Sequence, residues 1–312
     1  MPVSLSANTI TFNDNTSRSS NKASVKAIFG FGFTGVAITN ITNLVSVFGN
    51  VATDTSTAGT ARNGLAAAGY GGDKAIFGFG TSGSVLNTIS LFNNLGAYVS
   101  ESSGSGTARS GLGAAGYGGD KAIFGFGFSG STLNTISLFN NLGAYVSESS
   151  GSGTARHYLA AAGYGGDKAI FGFGYILATS TQVNRTSLFN NLGAYVSESS
   201  GVGTARSVLA AAGYGGDKAI FGFGYIDGQG STNTISLFSN LGVYVSETSG
   251  VGTSRTFSAA AGYGGDKAIF GFGFTGSQTN ITSLFNNLGA YVSESSGVGT
   301  ARYELAAASF GP

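Results

Sequence analysis

No cysteine occurs among the 312 residues, and histidine and methionine occur once each. Disulfides, thiolate metal sites and a thiol nucleophile are thereby excluded, while the redox compartment stays open. A protein outside a cell can do without disulfides when its core is large enough. There are only two prolines, and charged residues make up 9% of the chain. Fifteen basic residues stand against fourteen acidic ones, so no basic field exists to hold nucleic acid or anionic lipid. No apolar run reaches membrane-spanning length, and the opening MPVSLSANTITF lacks the basic start and long apolar stretch of a secretory signal. Membrane insertion and export by the usual route are not expected.

What the chain does have is repetition. A version of KAIFGFG begins at Lys26, Lys74, Lys121, Lys168, Lys218 and Lys267, at spacings of 47 to 50 residues. That period is too long for leucine-rich or ankyrin units and suits a four-stranded propeller blade. Fifty-four glycines accompany 42% hydrophobic residues, so the chain can bury a core and is not a disordered low-complexity tract. A residue present in every copy is explained first by architecture. One that differs between copies is free to serve recognition.

The copy that starts at Arg109 reads LGAAGY, GGD, KAIFGFG, a variable stretch, NTISLF, NNLG, AYVSE and a glycine-serine connection. This order predicts four short strands, with Gly118, Gly119 and Asp120 making the first hairpin turn and Asn140, Asn141 and Gly143 the third. Helical periodicity is absent, so the fold is expected to be all β. Strict alternation puts Ala122, Phe124 and Phe126 on one face of the second strand and Ile123, Gly125 and Gly127 on the other. A large-residue face meeting a small-residue face would then fill the seam between blades.

Six second, third and fourth strands are present, but the first KAIFGFG follows NTSRSSNKASV rather than a TAR-LAAAGYGG strand. The last TAR, at Thr300 to Arg302, leads into a first strand with nothing after it. The two incomplete units complete each other. The prediction is a six-bladed ring over residues 25–312, closed by the C-terminal strand, with residues 1–24 as an attachment arm. The alternative uses Asn8 to Phe12 as the inner strand of the first blade.

The pattern R-x-x-L-A-A-A-G-Y-G-G-D-K-A-I-F-G-F-G, with aromatics at Phe92 and Tyr98, resembles the kelch repeat, a family that forms β-propellers. Gly-Phe-Gly stands where kelch has paired glycines, and Tyr or Val where it has tryptophan. Within the leader, the run from Ile10 through Phe12 and Asp14 to Arg18 is similar to the I-x-F-x-D-G-T-x-Q motif of bacteriophage tail-fibre and other virion proteins, with Asn15 in place of its glycine. These resemblances imply a kelch-like propeller carried on a virion and made in the host cytoplasm. Ile10, Phe12 and Asp14 would then attach it to other virion proteins, within an assembly containing several copies of this chain.

Six arginines, Arg62, Arg109, Arg156, Arg206, Arg255 and Arg302, close the TAR-type motifs. Glu101, Glu148, Glu198, Glu247 and Glu294, with Asp54 in the first copy, lie near them. Glu101 and Arg109 face each other across one connection, so a repeated clasp within or between blades is expected; a ring of arginines around the axis, holding an anion, is the alternative. Gly69 to Lys74 superficially matches a phosphate loop but lacks GK[ST] and a following helix, so a hairpin turn is expected. His157 has no acidic or cysteine companion in its segment and is read as a surface variant of Asn63, Ser110, Ser207, Thr256 and Tyr303. No metal site, cofactor or paired-carboxylate site is recognised, and the chain is read as non-enzymatic.

Variation between copies concentrates in the loop after each second strand and in the two residues after each TAR. In a four-stranded antiparallel blade these lie on one rim. Tyr158, Tyr175, Tyr225, Phe274 and Tyr303, with His157, would there place rings among polar groups, a mixture suited to a host-surface glycan or protein. The expected function is a virion structural protein whose propeller binds a host receptor. The alternative is a structural adaptor or decoration protein of the particle.

Overall fold

The computed structural model describes residues 26–56 and 59–311, together with three leader strands, Ser4–Ser6, Thr9–Thr11 and Ser17–Ser19. Six small antiparallel sheets form a β-propeller. Five have four regular strands in sequence order from the axis outward. The sixth is assembled from both ends: Ala306–Phe310 pairs antiparallel with Lys26–Gly30, which pairs with Thr42–Val45. Its outer edge is made by single bridges, Thr42 to Thr55 and Val45 to Val51. The predicted closure is therefore observed, and the inner strand of this blade is not Asn8 to Phe12, because Thr9–Thr11 pairs with Ser4–Ser6 and Ser17–Ser19. Ile10 lies opposite Leu5 and Arg18 in that register. Phe12 and Asp14 lie outside the described residues.

The hairpins take the expected turns. Gly118 and Gly119 both have positive φ, at 58° and 80°, between Tyr117 and Lys121. In the third hairpin the Asn140 side-chain oxygen accepts the N–H groups of Leu142 and Ala144, at 2.9 and 3.0 Å. Gly69 to Lys74 is likewise a hairpin, with a strand and no helix after it.

Strict alternation fails at one position in every blade. Phe31, Phe79, Phe126, Phe173, Phe223 and Phe272 all have φ between 61° and 66°. The left-handed region costs a bulky residue about 1–2 kcal/mol. The change of backbone hand moves Phe126 to the side of Ile123, away from Ala122 and Phe124. Each seam is therefore built from unequal halves: Tyr117, Ile123, Phe126 and Ile136 of one blade meet Leu159, Ala161, Phe171 and Phe189 of the next. Gly125 is the hole into which Phe171 fits, since a Cβ there would lie 2.9 Å from that ring and 2.5 Å from Ile136. The expected glycine face receiving a neighbour's phenylalanine is thus present, but the second phenylalanine joins the glycine side.

Backbone bonds also join the blades. The second residue after each TAR forms a closed ring about the axis: Gly111 donates to Gly64, Tyr158 to Gly111, Val208 to Tyr158, Phe257 to Val208, Glu304 to Phe257 and Gly64 to Glu304, at 2.7–3.1 Å. All six residues have φ between 51° and 61°.

Candidate functional site

The six arginines are fully buried in the seams. Arg109 Nη1 donates to the Thr107 carbonyl at 3.0 Å and to Glu148 at 3.2 Å, and Nη2 to the Phe124 carbonyl at 3.3 Å and Ser137 Oγ at 2.9 Å. Its guanidinium carbon stands 4.3 Å from the centroid of Phe79 in the preceding blade. The left-handed phenylalanine and the arginine are therefore two halves of one clamp. The expected pairing is corrected: Arg109 bonds Glu148 of the blade it introduces, and Glu101 bonds Arg62. None of the arginines lines the axis, so the anion-holding ring is not formed; each has a partner and no exposed surface.

Charge in the clamps follows from burial and hydrogen bonding. Burial lowers the Arg109 guanidinium, and Glu148 opposes the shift. Burial pushes the Glu198 carboxyl up, but bonds from the Thr154 hydroxyl and amide, Arg156 and Ser187 outweigh it and hold it at about 2. Among the described residues only Glu198 has a second arginine, Arg185, at 3.1 Å. In the first blade aspartate replaces glutamate: Arg302 reaches Asp54 only at 4.0 Å. One methylene is missing, and Arg302 donates instead to Asn43 Oδ1 at 2.6 Å and the Phe31 carbonyl at 2.8 Å.

The rim opposite the hairpins carries the variable residues. The residue after each TAR exchanges two backbone hydrogen bonds with the residue after GFG: His157 with Tyr175, Ser207 with Tyr225, Thr256 with Phe274, Tyr303 with Phe33, Asn63 with Thr81 and Ser110 with Phe128, all at 2.8–3.1 Å. These bonds use no side chain. The backbone scaffold is thus constant while the side chains it presents change from blade to blade.

On blades four to six the presented side chains form a cleft of about 530 Å³. Its walls include Tyr158, Tyr175, Tyr225, Phe257 and Phe274, with Gln182, Ser207, Asp227 and Thr256 as polar neighbours. Two short hairpins raise the rim: Tyr175–Ile176 with Thr181–Gln182, and Tyr225–Ile226 with Gly230–Ser231. Gln182 ties them together, donating to Ser207 Oγ at 3.0 Å and the Tyr225 carbonyl at 2.9 Å and accepting the Asp227 N–H at 2.8 Å. The cleft is therefore held open before any ligand arrives.

Five of the six expected ring residues, Tyr158, Tyr175, Tyr225, Phe274 and His157, line this cleft. Tyr303 does not. It packs behind the wall, with ring centroids 5.4 Å from Phe274, 5.8 Å from Phe257 and 5.6 Å from Phe33. His157 is not a surface residue: it is buried against Tyr158 at 4.5 Å and Tyr175 at 5.5 Å, its Nδ1 has no partner, and burial lowers its pKa. Phe257 and Gln182 were missed as site residues. Phe257 was legible as a variable residue after TAR, whereas the reach of Gln182 across a seam has no local signal.

Beside the cleft, at the axial mouth, Glu304 accepts a hydrogen bond from Asn63, and burial raises its pKa. Among the described residues no group of three or more His, Cys, Asp or Glu side chains gathers. No described helix is long and apolar enough to cross a membrane. No protein-family model matches the chain, and no curated protein matches it.

Proposed function

We propose that this chain is a non-catalytic binding propeller whose variable rim engages a saccharide of a host-cell surface, and that residues 1–24 fix it to a virion. One observation carries the binding half: the cleft is built from positions that differ between copies, mounted on a backbone frame that does not. Aromatic faces stack on the apolar faces of sugar rings, and the hydroxyls and the Asp227 carboxylate suit their hydroxyl groups. The tail-fibre-like leader motif supports the virion setting. Many copies on one particle would make a weak single-site affinity sufficient.

A glycan array probed with the purified chain, alongside Tyr175→Ala and Tyr225→Ala, tests the binding. The expected result is a restricted set of retained glycans, with each variant at least about tenfold weaker, the size of a modest interface hot spot. Retention that is unchanged in both variants, or no retained glycan at all, overturns the reading.

A further inference from the structure

The opposite face carries an apolar feature that the architecture does not use. At the tip of the third hairpin stand Phe48, Leu95, Leu142, Leu192, Leu241 and Leu288, one per blade, each between 69 and 78% exposed. The turn itself is made by the asparagine oxygen and by Gly143 at φ 76°, so the leucine beside them is free to be polar. The first blade has diverged most here, with Ser46 and Val47 in place of two asparagines, and yet keeps a large apolar residue, Phe48. One exposed apolar tip thus recurs at the same place in all six blades, although nothing in the turn requires it.

Inside this ring, charges alternate around the axis. Lys74, Lys121, Lys168 and Lys267 each reach the aspartate before them, at 2.8–3.6 Å, and both members of every pair are partly exposed. Every blade but the first has both signs, six lysines standing against five aspartates, so the net charge of the ring is small. The ring breaks only between Gly311 and Lys26, where a Gly-Gly-Asp turn would stand in the other blades and the leader joins the propeller instead.

We infer that this face docks on the same face of a second copy of this chain. A surface that fits it must bring apolar contacts at the same sixfold spacing and a lysine for each aspartate, and the face itself has both. Two copies related by a twofold axis across the seam form an isologous contact in which lysines of one meet aspartates of the other. The aromatic clefts then point outward in opposite directions.

Sedimentation equilibrium of the full chain, compared with a variant carrying serine at all six tips, tests this. The expected result is a species of twice the 31.1 kDa chain mass, with dissociation at least about tenfold easier in the variant. At a concentration where both proteins are monomeric the variant's circular dichroism melt should match the parent's, since the tips of a single chain are exposed. Because the chain has no cysteine, Leu142→Cys and Val36→Cys give a second readout with a short bis-maleimide crosslinker. Leu142→Cys should join two chains, and Val36→Cys, on the other rim, should not. A chain that stays monomeric at about 100 µM, an assembly unaffected by the six substitutions, or equal crosslinking from both rims overturns the inference.

Discussion

Removing one half of a seam clamp should cost far more than an ordinary surface ion pair. In Arg109→Met the side chain keeps its apolar contact with Phe79 but loses four hydrogen bonds, two of them to the Thr107 and Phe124 carbonyls. Each charge-assisted bond is worth about 1.5–3 kcal/mol, but the sum overstates the loss. Glu148 is not orphaned: it is 21% exposed and still accepts from Thr107 and Ser137. The expected cost is about 3–5 kcal/mol, the range for breaking a buried pair. In Glu148→Gln the neutral amide can still accept from Thr107, but Arg109 keeps its charge with no exposed surface, so a similar cost is expected. The double substitution removes the charge and its counter-charge together. It should fall short of the sum by at least about 1–2 kcal/mol. Urea unfolding followed by tyrosine fluorescence gives all four corners of this cycle. An Arg109→Met cost below about 1 kcal/mol, typical of an exposed pair, or strict additivity would refute the clamp.

Three further outcomes follow from the same geometry. The five clamp glutamates have folded pKa values below their unfolded ones, so their contribution is complete above the unfolded value of 4.5 and is lost as pH falls toward the folded value, about 2 for Glu198. Urea midpoints should therefore drop between pH 5 and pH 2, and Glu198→Gln should flatten part of that fall. Gly125→Ala should destabilise by about 1–3 kcal/mol through overpacking against Ile136 and Phe171, readable as a lower melting temperature. Truncation before Leu305 removes the strand paired with Lys26–Gly30 and exposes an edge. Size-exclusion chromatography should then show aggregation or an expanded chain, whereas a compact, unchanged elution would contradict closure by that strand.

The ring, its blade count and its closing strand were legible because six copies repeat the same turn chemistry, and the two broken copies at Lys26 and Leu305 fit together. Hairpins at Gly118 and Asn140 were legible from local residue type. Phe126 was not, because alternation assumes extended backbone and its left-handed φ is selected by the clamp it makes with Arg156, thirty residues away and 4.3 Å from its ring. The pairing of Arg109 with Glu148 rather than Glu101 was hidden for a related reason: proximity along the chain does not say which seam a side chain enters. Convergence of the variable residues on one rim followed from strand direction alone. Which rings line the cleft, and which, like Tyr303, stand behind it, depends on packing around the axis that no single repeat encodes.

The central claim, that repeated residues build the propeller and unrepeated ones bind, is tested most directly by loop exchange. Residues 175–183 and 225–232 would each be replaced by the short loop 128–133 of the third blade, and glycan binding and melting temperature measured on the same sample. The prediction is a propeller that melts as before and no longer binds. Binding that survives the exchange would place recognition elsewhere on the molecule and contradict the claim.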